Sequence, residues 1–486
     1  MVRTVAEPGA PVLVMGRRTA IGTAGHAFAQ LDVIGLTAPV LAAVAGLVAP
    51  LELPVDDVIL GNCLGPGGNI ARVSALAAGL GSVVPGVTVD RQCGSGLDAV
   101  LQAAARVRAG DAVLVLAGGA ESASTAPWRY WPPVGSDSPV RYTRAPFVPT
   151  GFPDPDMGAA ADALAATRTI SRTRQDAYAA RSHARTIAAV QAGTFQTEIV
   201  AVQGVRLDDR PRPGLDATRL ARLRPSFGPN GTATAGNSCG ISDGAAVVGV
   251  TTERAARAAG LAHLRVVAAA VAAADPASPG AAPAPAVRRL LGRPAVVQRG
   301  ITLSDIGAIE ITEAFASVVL ATIDDLVLDE DLVCAEGGAI GLGHPWGASG
   351  TILLIRLAAR MLRVDGPALG LAVCAIGGGQ GLAMLIERTD ASGGAGDSDR
   401  VDSVDSGPVD SGPVHSGPVH SGPIDPGPVD PGPIDPGPVD PGPIDPGPVN
   451  SRPVNSRPVD SGPDSCPDSG LDSGPVGSHL DRTDGG

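Results

Sequence analysis

Three glycine-rich stretches hold the residues best suited to chemistry. VDRQCGSGLDAV (89–100) presents Cys93 after a short apolar run and at the first turn of an apolar-faced helix. There the positive end of the helix dipole and unpaired backbone N–H groups favour the thiolate. Most lone cysteines are inert core residues, but Gly94 and Gly96 permit close backbone approach around this one. GGAIGLGHPWGASG (337–350) holds His344, an imidazole able to take the proton from that thiol, although a loop histidine taken alone is usually structural. LAVCAIGGGQG (371–381) adds Cys374 and, at Gly377, backbone N–H groups able to stabilise an oxyanion. A thiol, an imidazole and free amides, each at a strand end, suit acyl-thioester chemistry.

The elements that must position them follow an α/β pattern. PVLVMG (11–16), DDVILGN (56–62), AVLVLAGG (112–119), IGAIEIT (306–312) and ALGLAVCAI (368–376) read as buried strands. LDAVLQAAARVRAG (97–110) places Leu97, Val100, Leu101, Ala104 and Val107 on one helical face and stops at Gly110. TILLIRLAARML, after the His344 loop, reads as another helix. Residues 122 to about 235 loosen into loops and one helix, SRTRQDAYAARSHARTIAAVQAG, an insertion of the kind that covers a site. WRYW, near 128–131, lies within it, and aromatics in such a segment more often pack than line a tunnel.

Composition narrows the class. The chain has 486 residues and 44% hydrophobic content, enough for two or more packed domains, with only 2% aromatics. It contains no lysine. Of the net charge of −13, −12 falls after residue 390, where sixteen aspartates face four arginines, so the body is nearly neutral and offers no basic groove for nucleic acid. Six scattered cysteines without CxxC or metal-ligand spacing indicate neither a disulfide framework nor a metal site. No secretory leader or membrane-length apolar window is read, so the cytoplasm is the expected compartment, with no membrane partner. From 391 to 486 a Pro-rich five-residue repeat (VDSGP, VHSGP, IDPGP, VNSRP) lacks the large apolar residues to offset its chain entropy and is expected to be disordered.

The order CGSG, GGAESAS, SRTRQDAYAARSH, GTATAGNSCGISDGAA, TEAFA, GGAIGLGHPWGASG, CAIGGGQG resembles the thiolases, from about residue 10 to 388. The resemblance implies a thiolase fold of two similar α/β halves (1–253 and 254–390), forming a five-layered αβαβα core with a loop domain inserted at about 122–235. It implies a homodimer or homotetramer acting on acyl and 3-ketoacyl thioesters of coenzyme A, with CoA and acyl-CoA as substrates and no permanently bound cofactor. By position, Cys93 resembles the acylated nucleophile, His344 its base, and the amides of Cys93 and Gly377 one oxyanion hole. Met157, Arg212, Phe227, Ala235, Cys239, Ala314 and Phe315 correspond to the region that contacts coenzyme A.

The departures sit close to the site. Thr312 (TEAFA) replaces the family's Asn, and a hydroxyl has a shorter reach and one donor fewer than an amide. Cys239 replaces a serine, Ser242 stands in SDG where the family has NDG, and Glu336 replaces an Asn before paired glycines. Ala375 aligns with the family's second acid/base cysteine, leaving Cys374 one residue early. In a regular strand that parity turns Cys374 away from Cys93, and a bulge could turn it back. The alternatives are therefore an acyltransferase or thioesterase that has lost carbon–carbon chemistry, and a non-catalytic acyl-CoA-binding protein.

Overall fold

Short runs rich in Val, Ile, Leu and Ala, buried on both faces, alternate with helices, and a mixed sheet with helices on either side is the architecture that buries both. The computed structural model describes residues 9–135 and 138–389, apart from the side chain of Met15; the repeat tail, expected to be disordered, lies outside the described residues. The principal strands are β1 (Pro11–Thr19), β2 (Asp57–Gly61), β3 (Gly86–Val89), β4 (Leu114–Glu121), β5 (Ser242–Thr252), β6 (His263–Ala273), β7 (Ala308–Ile311), β8 (Leu369–Ile376) and β9 (Gln380–Arg388). They run in the order β7-β8-β9-β6-β1-β5-β4-β2-β3. Two half-sheets meet where Val12–Val14 of β1 pair antiparallel with His263–Arg265 of β6. Each half has parallel strands closed by an antiparallel one: β2 runs parallel to β3 and β4, with β5 antiparallel, and β7 runs parallel to β8, with β9 antiparallel.

Side-chain alternation on the strands builds five layers. Leu114 and Leu116 of β4 join an outer core with α1 (Val33–Val48) and α2 (Ile70–Ala77). Val115 and Ala117 point the other way, into a central core shared by α3 (Ser95–Ala109) and α8 (Trp346–Met361). On β8, Ala372, Cys374 and Ile376 face that same central core, whereas Leu371 and Val373 face the second outer layer, with α6 (Pro283–Leu291) and α7 (Ala316–Leu326). Each fully buried Leu, Ile or Val contributes roughly 1.5–3 kcal/mol. The segment between β4 and β5 carries α4 (Met157–Thr167), α5 (Arg172–Gln191) and a small hairpin of Arg129–Trp131 with Val140–Tyr142.

One expectation is corrected here. Val33–Leu51 is a helical stretch of 19 residues, long and apolar enough by length and composition to cross a membrane. Its Val33, Leu36, Val40, Leu41, Val44 and Val48 are buried in the outer core, so in this fold the apolar run serves packing. The central helices approach closely: a methyl group on Gly96 would lie 2.7 Å from the carbonyl oxygen of Gly347, and one on Gly350 would lie 2.5 Å from the Leu97 nitrogen. Only glycine permits that contact, which brings the N-terminal ends of α3 and α8 together.

Candidate active site

Cys93 sits in the turn between β3 and α3, one residue before the Gly94 cap. Gln92 is held in the left-handed region at φ 45°, a conformation costing about 1–3 kcal/mol in a non-glycine residue. Local bonds hold it there. Gln92 N donates to Asp90 Oδ1 at 2.7 Å, Arg91 N donates to Ser95 Oγ at 2.8 Å, and that hydroxyl donates to Gln92 O at 2.6 Å. Arg91 then clamps the turn outward, pairing with Asp98 at 2.9 Å and donating to Gln380 Oε1 at 3.0 Å, which fastens the cysteine turn to the hairpin bearing Gly377. The thiolate expected from the helix dipole is not the resting form. Burial first, then the neighbouring thiols Cys239 and Cys374, push the Cys93 thiol well up, while its own backbone N–H pulls the other way. Desolvation outweighs the helix N-terminus.

His344 lies three residues before Gly347, and Cys93 three before Gly96, so the contact between those glycines sets the two loops side by side. The imidazole is buried. Its backbone N–H donates to Gly240 O at 3.1 Å and to Ser242 Oγ at 3.2 Å. Ser349 Oγ donates to Pro345 O at 3.1 Å and lies 2.6 Å from His344 Nδ1. With its hydroxyl proton committed to that carbonyl, Ser349 accepts from Nδ1–H, which leaves the lone pair on Nε2. Among the described residues Nε2 has no hydrogen-bond partner. Burial lowers the imidazole to about 4, so at neutral pH it is an uncharged base with its accepting nitrogen free.

Cys374 is placed on the other face from the one its spacing suggested. Pairing of β8 with β9 runs from Leu369 to Ile376 without a register shift, so no bulge is involved. Cys374 shares its strand face with Ile376, whose Cδ1 lies 2.4 Å from where a methyl group on Gly94 would be. Ala375, at the position expected for the acid/base cysteine, packs toward the outer layer with Phe315. Thr312 Oγ1 donates to Cys374 Sγ at 3.3 Å, and Thr312 N donates to Val373 O at 3.0 Å. Burial pushes the Cys374 thiol up to about 12, against the opposing pull of Thr312. Cys374 is therefore a protonated thiol held by a hydroxyl.

Cys239 is half-buried, with its N–H donating to Ala314 O at 2.9 Å, and burial raises its thiol to about 12 against the field of Arg210. Ser242 Oγ donates to Gly240 O at 2.9 Å, so SDG supports the His344 loop. Glu336 is not part of this cluster: it pairs with Arg356 and Arg363.

Two positioning carboxylates carried no role in the sequence reading. Glu121 accepts from the backbone N–H groups of Cys63, Leu64 and Gly347 and from Asn62 Nδ2, tying the His344 loop to the end of β4; burial raises it to about 7. Glu313 accepts from Tyr178 Oη, Ser182 Oγ and the Ile340 N–H. Both lie in stretches conspicuous in the sequence, GGAESAS and TEAFA, but donors that come from backbone N–H groups and from side chains far away in the chain leave no spacing signature.

Of the residues matched to coenzyme A contacts, Ala314 and Phe315 follow Thr312 two and three residues on, while Phe227 meets Phe315 edge-on at 5.7 Å and covers Gly158, next to Met157. Ala235 and Arg212 are exposed on the loops that lead to Cys239. Among the described residues no cluster of three or more His, Cys, Asp or Glu has metal-binding geometry.

Residues 11–254 match the family model for the thiolase N-terminal domain, and residues 261–388 that for the thiolase C-terminal domain. The chain is 40% identical over 395 residues to the acetyl-CoA acetyltransferase of Thiocystis violacea, covering 78% of this chain and 98% of that protein. It is 39% identical over 394 residues to the Escherichia coli acetyl-CoA acetyltransferase, with the same coverage of 78% and 98%. The crystal structure of the Bacillus anthracis acetyl-CoA acetyltransferase superposes with a TM-score of 0.71 at 34% identity, covering 78% of this chain and 99% of that one. The arrangement of halves, helix ends and loops is thus that of a known catalytic scaffold, and the chain belongs to the thiolase family, whose activity is acyl-CoA acyltransfer.

Proposed function

We propose that this thiolase-type acyltransferase works through acylation of Cys93, with His344 as its base and Cys374 as the second acid/base. The observation that carries the reading is the free Nε2 of a buried, neutral His344 whose other nitrogen is fixed by Ser349. In thiolysis the Cys93 proton passes to His344 Nε2 as the sulfur attacks the 3-keto carbon, and the oxyanion is received by the amides of Cys93 and Gly377. The Cα–Cβ bond breaks, its electron pair forms the enolate of acetyl-CoA, and the Cys374 Sγ–H supplies the proton. The thiol of CoA then gives its proton to the Cys374 thiolate as its sulfur takes the acyl group, and the proton on His344 returns to the departing Cys93 sulfur. Because both thiols rest protonated, proton transfer accompanies attack and the loop starts uncharged.

Thr312 holds Cys374 in line, a positioning role. Met157, Arg212, Phe227, Ala235, Cys239, Ala314 and Phe315 hold coenzyme A, which enters as a substrate; no permanently bound cofactor is required. The enzyme acts in the cytoplasm as a homodimer or homotetramer. An open edge on β3 supports self-association, as do the exposed Val73, Leu76 and Val83 beside it.

The test is the intact mass of the protein after brief exposure to acetoacetyl-CoA without free CoA, with Cys93→Ala as control. An acetyl adduct lost in the control supports the full reading. An acetoacetyl adduct leaves Cys93 a nucleophile but removes Cys374 as a proton donor, and no adduct overturns the proposal.

A further inference from the structure

The aromatic residues between 128 and 147 divide into two groups. Trp128, Tyr130 and Trp131 are exposed on the Arg129–Tyr142 hairpin and its approach, with Trp131 stacked on Tyr142 at 4.7 Å. Phe147 is different. A methyl group on Gly377 would lie 2.7 Å from Phe147 Cε2 and 3.0 Å from its Cδ2 and Cζ. The ring therefore lies against the Gly377 Cα, on the loop whose amide is assigned to the oxyanion. A methyl group on Gly378 would lie 3.2 Å from the Phe147 carbonyl oxygen.

Phe147 is held from behind. The Arg144 guanidinium lies over its ring, 4.6 Å from the centroid, and Arg144 is fixed by Asp154, Nη1 to Oδ1 at 2.8 Å. The other oxygen of Asp154 accepts the Phe147 N–H at 3.3 Å. A ring pinned between an arginine and a glycine backbone has little freedom to swing aside.

We propose that Phe147 is a wall of the acyl pocket and restricts the enzyme to short acyl groups, of which acetyl is the best fit. The inference rests on the assignment of Cys93 and Gly377 above. An oxygen bonded to the Gly377 N–H at about 2.9 Å places the acyl carbon within about 4 Å of that nitrogen. Further carbons on an acyl chain must leave from there. On one side Ile376 already presses on Gly94, and Cys374 with Thr312 closes another. Over the Gly377 loop the way is blocked by the Phe147 ring, which belongs to the inserted segment rather than to the core.

The experiment compares kcat/KM for thiolysis of acetoacetyl-CoA and 3-ketooctanoyl-CoA in the wild-type enzyme, Phe147→Ala and Phe147→Leu. Expected is a wild type that strongly prefers the shorter substrate, with the ratio moving at least about tenfold toward the longer one in Phe147→Ala and part-way in Phe147→Leu. A ratio unchanged in both variants overturns the proposal, including the case in which both substrates lose rate equally, since Phe147 would then only support Gly377. If Phe147→Ala does not fold, Phe147→Leu alone decides by the same ratio. A wild type that thiolyses neither substrate and forms no adduct on Cys93 defeats the underlying assignment; an active wild type with an unmoved ratio defeats only the role of Phe147.

Discussion

Helix α8 serves two buried polar regions that are built on opposite rules. Along its body Arg356 donates to Glu198 at 3.1 Å; Glu198 also accepts from Arg18 at 2.9 Å, and Arg18 pairs with Asp208 at 2.7 Å. Phe195 lies between the two guanidinium groups, 5.4 Å from Arg18 and 4.2 Å from Arg356. Just before its first turn, His344 is buried as deeply, and its Nε2 has no hydrogen-bond partner among the described residues. An unpaired buried polar atom costs about 1–3 kcal/mol, and the proposed mechanism gives the one at Nε2 a use. In the first region each guanidinium meets a carboxylate, with Arg356 Nε alone left unpaired among the described residues of that network; in the second, the mechanism proposed above makes the Cys93 proton the missing partner.

The largest effect that would break this contrast lies at the nucleophile. Cys93→Ala is expected to reduce thiolysis by about 10⁴-fold or more, with thermal unfolding shifted little; retained activity would remove Cys93 from the chemistry. His344→Asn is expected to lower kcat by about 10²–10⁴-fold, the usual contribution of a general base, which steady-state kinetics will measure. The converse holds in the other region. Glu198→Gln leaves Arg18 and Arg356 without their shared carboxylate and is expected to cost about 3–5 kcal/mol of stability. In denaturant titration that loss should appear with activity per folded molecule preserved, and a stability-neutral Glu198→Gln would show the network to be incidental.

Much of this arrangement was legible in the sequence. Cys93 and Gly377 each stand beside glycines at a strand end, His344 follows Gly343 just before α8 rather than at a strand end as its loop suggested, and Gly110 ends α3 as an αL cap at φ 82°, so residue type and position carried most of the information together. The strands β5, β6 and β9 were harder to read because SDGAAVVGVTT and HLRVVAAAVAA are Ala- and Gly-rich and lack clear alternation. The side of Cys374 was not legible either. Register against β9 sets which face of β8 meets α3, and a one-residue offset in a motif conveys parity relative to the motif, not to the fold. The resting state of Cys93 escaped for a related reason: the helix end is local, whereas its burial, and then Cys239 and Cys374, come from segments about 150 and 280 positions away in the chain.

A smaller effect comes from titration. His344 falls from about 6.5 unfolded to about 4 folded, so between those values the unfolded chain binds more protons. Its contribution is complete above pH 6.5 and is lost as pH falls to 4, by about 3 kcal/mol. Glu121, raised to about 7, acts with the opposite sign across part of that window. The informative quantity is therefore the difference between wild type and His344→Asn: unfolding free energies at pH 7 and pH 4.5 should diverge less in the variant. Parallel curves would mean that the imidazole is not held neutral.

The smallest expected effect sharpens the comparison most, because it alters no reacting atom. Ser349 accepts from His344 Nδ1 at 2.6 Å and passes its own proton to Pro345 O. Ser349→Ala leaves Nδ1–H without an acceptor, a loss of about 1 kcal/mol that lets the proton move to Nε2. In that tautomer the imidazole offers Cys93 a donor instead of a lone pair. The expected result is a fall of roughly fivefold in kcat with little change in KM, accompanied by a shift of the His344 nitrogen resonances toward the Nε2–H form. A rate loss without that shift would mean that Ser349 acts by packing. The free nitrogen would then be free for lack of a neighbour rather than because its tautomer is held.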